Sequence, residues 1–436
     1  MPFVVMPTSE ILGTTFDNSL NMINETIGKL RNRQNVDGSF ALWPGEMQYG
    51  NQNDVNAAYL TAYVTQFLTI AKNAGFDIPT DMLSRATDYL RTFAGNTITS
   101  DEYARTMAYA IYVISSNDYI TTSYIDTLTQ YANENIKNWQ SDLMGTYIAA
   151  SYKIMKQDDL ARDLFAKYEI SSDNEFESNG IFNSNVANDA MYYYIAAKHF
   201  TPQNPTESIL LRKYIESGQY SAHASAAVIM ALSGIPASAQ IPDVRVTANV
   251  QTTIDTSKDT STITATIPND ASEITIECDT CDDTNMLFYT LLQQGFPTES
   301  DKYSNGIEIV REYYDSNDNR ITSGNIGDIV TVKIFARTRG GVDVAQNVAI
   351  TDLLPGGFIP NFESSTGNMD YIEMREDRVL IYTDLTRDTS EFTYTAQIGS
   401  AGTFTIPGVR AESMYNPQIA ATGDSGIFTV KNEVQQ

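Results

Sequence analysis

The chain has 436 residues, enough for two or three domains that each bury a core, and a hydrophobic share of 42% marks it as globular and not disordered. With 28 basic against 54 acidic residues the formal charge is −26. That excess excludes a nucleic-acid partner, which would need clustered Lys and Arg to displace counterions, and it disfavours docking on an anionic membrane surface. An acidic surface rich in Tyr, Asn and Thr suits an extracytoplasmic protein.

Met1-Pro2-Phe3-Val4-Val5-Met6-Pro7 is apolar but has neither a basic leader nor a small-residue cleavage site, so it does not read as a signal peptide. If the parent protein is exported, its signal is expected upstream and this chain would be a fragment. The first half then reads as helix after helix. Asn53 and Asp54 are expected to cap a run with Val55, Tyr59, Ala62, Tyr63, Phe67 and Ile70 on one face, closed by Gly75. Thr80 is expected to cap the next, with Leu83, Ala86, Leu90 and Phe93 inward. Amphipathic runs follow over Ala104–Ser115, Ser123–Asn133, Asp142–Met155, Asp158–Tyr168, Val186–His199, Pro205–Ser217 and Ala222–Leu232, the last ended by Gly234 and Pro236. The loops between them are short, so consecutive helices should pack as antiparallel hairpins.

Near Pro236 the period drops to two. Val244, Val246, Ala248 and Val250 alternate, and strands are predicted over Thr262–Ile267, Ile274–Ile276, Ile307–Val310, Ile329–Phe335, Val348–Ile350, Val379–Tyr382, Phe392–Ile398, Phe404–Ile406 and Ile427–Val430. Short strands at close intervals with turn residues between them indicate an antiparallel sandwich. Boundaries fall near 238 and 302. The fold class is therefore multidomain α + β, a set of paired helices followed by antiparallel β-sandwich segments. No stretch has the apolar length of a membrane-spanning helix. The two cysteines, Cys278 and Cys281, form a lone C-x-x-C between strand and acidic loop. A local disulfide or plain thiols suit it better than a metal or redox site, which would need a second ligand pair or a strand-to-helix context.

Three stretches, in order, resemble bacterial alpha-2-macroglobulins. The first is Arg33-Gln34-Asn35-Val36-Asp37-Gly38-Ser39-Phe40-Ala41-Leu42-Trp43, followed by Tyr59-Leu60-Thr61-Ala62-Tyr63-Val64. The second is Asp352-Leu353-Leu354-Pro355-Gly356-Gly357-Phe358, with Arg375-Glu376-Asp377-Arg378 after it. The third is Ala411-Glu412-Ser413-Met414-Tyr415-Asn416-Pro417. The resemblance implies the C-terminal part of such a protein: residues 1–238 as a thioester-type α/α toroid, 239–301 as part of a CUB-like β domain, and 302–436 as the C-terminal macroglobulin-like sandwich. It further implies a non-enzymatic endopeptidase inhibitor. In the family a protease cuts a bait segment, the molecule rearranges, and a Cys-x-Glu-Gln thioester acylates the trapped protease. The implied partners are target proteases and the upstream macroglobulin domains. The implied location is the periplasm or cell surface, or secretion, with a lipid anchor in an N-terminal part outside this chain. No Cys-x-Glu-Gln occurs in the sequence. The family has members with and without a thioester, and Tyr220-Ser221-Ala222-His223-Ala224 also departs from its pattern.

A stored thioester needs a dry cover. By resemblance, Met414 and Tyr415 match the positions that shield it, and a flexible thioether beside a planar ring fills irregular gaps well. The bland reading has equal weight: both residues pack in an ordinary domain interface. Gln34-x-x-Asp37-Gly38-x-Phe40-x-x-Trp43 reads as structural, with Gly38 turning the chain, Asp37 capping and the aromatics filling a seam. His199 ends a helix, where the dipole would favour a charged imidazole, and His223 opens one; neither lies at the spacing the resemblance would require of a catalytic histidine. Asp101-Glu102, Asp158-Asp159 and Glu175-x-Glu177 read as solvated helix starts, and Asp282-Asp283 and Asp315-x-x-Asp318 as solvated loops without a full calcium pattern. No catalytic, cofactor or metal residue is therefore assigned, and no cofactor is implied. Two rivals stand beside the trap: a polysaccharide-acting α/α toroid enzyme with a carbohydrate-binding sandwich, using carboxylates such as Asp54 or Asp101, and a surface interaction or structural module without trapping activity.

Overall fold

The computed structural model describes residues 19–43, 54–169, 185–200, 207–217, 221–233, 244–249, 256–258, 263–268, 270–279, 281, 289–292 and 302–432. The chain divides into two compact units, Met1–Ser217 with His223–Tyr289, and Gly218–Ala222 with Thr290–Gln436.

The first unit contains α1 (Ser19–Arg31), α2 (Val55–Asn73), α3 (Thr80–Gly95), α4 (Asp101–Ser115), α5 (Thr122–Asn135), α6 (Leu143–Ile154), α7 (Asp158–Phe165), α8 (Asn185–His199), α9 (Glu207–Ser217) and most of α10 (Ala222–Ser233). Alternate helices differ in burial. In α4 every residue from Tyr103 to Ser115 is buried except Arg105, and α6 is buried continuously from Met144 to Ser151. By contrast α5 buries only Ile125, Leu128 and Ala132, and α7 only Ala161 and Leu164. A helix apolar all round must be inside, and one with a single stripe must be outside. Thus α2, α4, α6 and α8 follow one another as an inner series, each backed by its sequence neighbour α3, α5, α7 or α9. The series closes on itself. Ala226 and Met230 of α10 share a core with Phe67 and Leu68 of α2, while Ala224, Ala227 and Val228 pack with Val186 and Ala190 of α8. This ring of helical hairpins is the expected toroid. Two small antiparallel ladders also fall in this unit: β1 (Val244–Ala248) with β4 (Ile274–Cys278), and β2 (Thr256–Lys258) with β3 (Ile263–Ala265).

The second unit is a sandwich. One sheet has the order β10 (Phe358–Pro360), β13 (Ser390–Ile398), β8 (Ile329–Thr338), β6 (Ile307–Tyr314). The other runs β11 (Tyr371–Met374), β12 (Arg378–Thr386), β9 (Val344–Leu353), β15 (Arg410–Ser413), β16 (Ala420–Thr422), β5 (Tyr303–Asn305). Inward residues of both sheets, among them Val332, Ile334, Phe392, Ile350 and Val379, form one core, as strict alternation requires. A third sheet of β14 (Gly402–Ile406), β17 (Gly426–Lys431) and β7 (Ser323–Asn325) contains a parallel pairing, β17 with β7, in an otherwise antiparallel unit.

Several local expectations change. Helix α1 and strands β2, β5, β7, β10, β11, β15 and β16 were not predicted; these strands are only three or four residues long, too short to show a period. Thr80 is the first helical residue, preceded by Pro79 without a side-chain cap, whereas Asp54 does cap α2 through the amides of Asn56 and Ala57. Within the described part of the Thr262–Ile267 run, the strand covers Ile263–Ala265. Met1–Pro7, Asn53, Glu175, Glu177, Pro236, Asp282 and Asp283 lie outside the described residues.

Candidate functional site

The first motif is a tight loop at the end of α1. Asn35 N–H reaches Ser39 O at 2.8 Å, and Gly38 N–H reaches Asn35 O at 3.1 Å. Gly38 has φ +95°, and a Cβ there would lie 2.2 Å from the Arg85 carbonyl oxygen, so only glycine fits against α3. Gln34 locks the same contact: its amide donates to Met82 O at 2.9 Å and accepts from Arg85 at 2.6 Å. Asp37 accepts from the Ser39 amide and hydroxyl, an Asx-type brace inside the loop in place of the expected helix cap. Phe40 is fully buried, with its amide on Thr61 Oγ1.

The second motif fixes the sandwich interior. Asp352 pairs with Arg311 and accepts from the Tyr394 hydroxyl at 2.7 Å, and all three are buried. Arg311 also donates to the Pro407 carbonyl at 2.5 Å. Gly357, at φ +141°, lets Phe404 approach; a Cβ would stand 2.7 Å from its ring. Phe358 then packs edge-on against Tyr313 and Phe428, at 5.9 and 5.1 Å between centroids.

The third motif ends β15 and carries the two residues that the resemblance singles out. Ala411 and Ser413 pair with Ile350 and Val348 of β9, and the chain then turns, with Asn416 N–H on Ser413 O and Ile419 N–H on Asn416 O. Met414 and Tyr415 occupy this turn and are half-buried; burial holds the Tyr415 phenol above its ordinary pKa. A β-bulge sets the position of the turn. Between the pairs Val348–Thr383 and Ala345–Leu385, Gln346 and Asn347 of β9 oppose Asp384 alone. Asn347 sits at φ +51°, and its amide donates to Asp384 Oδ1 at 2.7 Å. The bulge thereby turns two carbonyls toward the motif. Asn347 O accepts the Met414 amide at 3.0 Å, and Gln346 O accepts the Ser413 hydroxyl at 3.1 Å. Gln346, Asn347 and Asp384 were not singled out from the sequence. The available signal was a phase slip, since Ala345 and then Val348, Ile350 and Asp352 are the buried positions of β9.

The histidines are held among tyrosines of the inner helices. His199 Nε2 meets Tyr112 OH at 3.0 Å, and His223 Nε2 meets Tyr59 OH at 3.2 Å. Tyr109 stacks on Tyr147 at 4.8 Å and bonds Gln66. The expectation of a charged His199 is overturned. Burial, reinforced by Lys198 and Lys153, lowers its pKa to about 4, so desolvation outweighs the helix-end dipole.

Among the described residues, each candidate carboxylate has its own local role. Asp54 caps α2, Asp101 lies in the first turn of α4, and Asp158 and Asp159 pair with Lys153 and Arg162. The buried ones each pair with a basic side chain: Asp142 with Arg105, Asp189 with Lys213 and Asp352 with Arg311. Asp315 accepts amides of its own loop and Asp318 pairs with Lys333. Among the described residues there is no group of three or more His, Cys, Asp or Glu placed to hold a metal ion, and no helix long and apolar enough to cross a membrane. Cys278 and Cys281 form a local disulfide at the end of β4.

Comparison with known proteins bears on the motifs. Residues 306–418 match the bacterial alpha-2-macroglobulin MG10 domain. The alpha-2-macroglobulin of Rickettsia conorii is 28% identical over 95% of the chain. A mutant of the Salmonella alpha-2-macroglobulin superposes with a TM-score of 0.77 at 18% identity, covering 96% of this chain and 28% of that one. A crystal structure of the Escherichia coli protein from domain MG7 to the C-terminus gives 0.72 at 18% identity, covering 99% of this chain and 71% of that one. The chain spans only 22% of the length of the Rickettsia relative. With the domain match, the similarity across nearly the whole sequence and the shared fold taken together, residues 306–418 match the MG10 domain and the chain is similar to the C-terminal part of bacterial alpha-2-macroglobulins.

Proposed function

We propose that this chain is the C-terminal part of an extracytoplasmic, non-enzymatic endopeptidase inhibitor that captures a protease after bait cleavage. In this reading residues 1–238 are the thioester-type toroid, 239–301 part of a CUB-like β domain, and 302–436 the macroglobulin-like sandwich. Met414 and Tyr415 shield the acyl site in members that carry a thioester and serve as a plain domain contact in those that do not. The observation that carries the reading is the braced turn after β15. A thioether and an aromatic follow a bulge in which one carbonyl holds the Met414 amide and the other the adjoining Ser413 hydroxyl, a braced presentation suited to pressing on a partner surface. Similarity to bacterial alpha-2-macroglobulins supports the remainder of the reading, with target proteases and upstream macroglobulin domains as partners.

The test uses the full reading frame, including whatever precedes Met1. The expressed protein is incubated with a panel of endopeptidases, and cleavage of a small peptide substrate and of a large protein substrate are compared. A trap leaves the first largely intact and suppresses the second. Equal inhibition of both substrates, or of neither, removes the reading. Incorporation of labelled methylamine by the same protein, and its enhancement in Tyr415→Gly, separates a shielded thioester from a thioester-free contact.

A further inference from the structure

Where β8 passes to β9, the second unit forms an open concavity of about 470 Å³ lined by Glu308, Arg337, Arg339, Gly340, Gly341 and Arg387, among others. Three guanidinium groups on one hollow stand out in a chain of net charge −26. Two of them are already paired, Arg337 with Glu308 at 2.7 Å and Arg387 with Asp343. Arg339 is exposed and, among the described residues, has no carboxylate partner. The local sum is therefore positive. Glu308 registers the same field: its carboxyl is held below the ordinary value by its hydrogen bond to Arg337, and further by the charges of Arg337, Arg339 and Lys302.

The backbone adds donors. Gly340 and Gly341 have φ of +64° and +93°, and Val342 N–H closes the turn on Arg339 O at 3.3 Å. Both glycines face open space, with nothing within 4 Å of where a Cβ would stand, and their amides meet no acceptor among the described residues. The turn is fixed in advance, since Arg339 N–H binds Gly306 O at 3.0 Å and Thr338 Oγ1 binds Asp343 O at 3.2 Å. Gly306, at φ +76°, is wedged against Ile419 and Val342. A preset positive-φ turn whose amides have no acceptor among the described residues, beside guanidinium forks, is a concavity suited to an anion.

We propose that this hollow is a binding site for a phosphate group carried on a small polar body, with Arg339 as its principal ligand. A carboxylate offers two oxygens in one plane, whereas a tetrahedral phosphate can accept from the guanidinium and the two turn amides at once. The volume exceeds that of inorganic phosphate, so the remainder would hold the body that carries it. The phosphate could belong to a soluble ester or to a lipid headgroup, and the two are separable.

The experiment titrates the whole chain calorimetrically with inorganic phosphate and with glycerol 3-phosphate, and measures sedimentation with vesicles of phosphatidic acid against phosphatidylcholine. Saturable binding of the soluble ester, tighter than inorganic phosphate, supports a soluble source. Binding to phosphatidic acid vesicles alone supports a headgroup. Arg339→Ala should weaken either by about tenfold and Arg339→Lys by less, because a point charge replaces a fork. Arg320→Ala, on an exposed Arg paired with Glu312 elsewhere on the sandwich, should change nothing. As a readout that needs no variant, glycerol 3-phosphate should protect Arg339 from phenylglyoxal in the unaltered chain. The proposal is overturned by binding to neither probe, by equal loss in the Arg320 and Arg339 variants, or by unprotected Arg339.

Discussion

Arg311 and Asp352 face each other in the dry interior of the sandwich, where taking either charge out of water costs several kcal/mol unless the other is present. Burial pushes the Asp352 carboxyl above its ordinary pKa even with Arg311 and Tyr394 supporting the anion, so the pair makes the unit's structure specific more than it stabilises it. Arg311→Met should therefore cost about 3–5 kcal/mol in urea unfolding, while Arg311→Met with Asp352→Leu should recover most of that loss; a double variant as unstable as the single one would contradict this account. His199 titrates in the opposite sense. Its folded pKa near 4 lies below the unfolded value of 6.5, so the unfolded chain takes up a proton that the folded chain refuses. Stability should be flat above pH 6.5 and fall as pH drops from 6.5 to 4, by up to about 3 kcal/mol. His199→Gln keeps an acceptor for Tyr112 but cannot titrate, and its stability measured against pH should lack that fall.

At the scale of elements, β9 and its bulge do the positioning. A regular strand would alternate through Gln346 and Asn347 and offer no paired carbonyls to the turn after β15. The left-handed Asn347 is held by one side chain, Asp384. Asp384→Ala should leave the Asn347 amide unsatisfied, cost about 1 kcal/mol, and speed hydrogen exchange at the Met414 amide by several-fold. Asn347→Gly, which tolerates the same φ, should leave that exchange unchanged. Exchange at Met414 unaltered in Asp384→Ala would mean that the turn is held without the bulge. The helices were legible for a related reason. Runs such as Thr122–Asn135 repeat their apolar residues at helical spacing, and the largely buried α4 and α6 still carry enough Ala, Ile and Tyr to be read. Three-residue strands such as β5 and β16 carry no period of their own and exist because a neighbour's ladder accepts them. The motif residues Gly38, Asp352 and Ser413 were legible as motifs, but the contacts that require them lie on α3, β6, β13 and β9, distant in sequence.

For the whole molecule, charge is the governing quantity. An excess of 26 negative charges opposes association of folded chains at neutral pH, and the sequence pI near 4.3 places the loss of that repulsion at mild acidity. Light scattering against pH should show a solubility minimum close to 4.3 that clears on both sides; clear solutions throughout would mean that the acidic groups are not acting at the surface. Composition, period and motif order by themselves determined the acidic character, the change from helix to strand near residue 238 and the family resemblance, because these depend on composition and local spacing along the chain. Closure of the helical ring through α10, the neutral state of His199, the bulge beneath Met414 and the gathering of Arg337, Arg339 and Arg387 were decided only by the tertiary structure. Each is a balance of desolvation or hydrogen bonding between groups that only folding brings within reach.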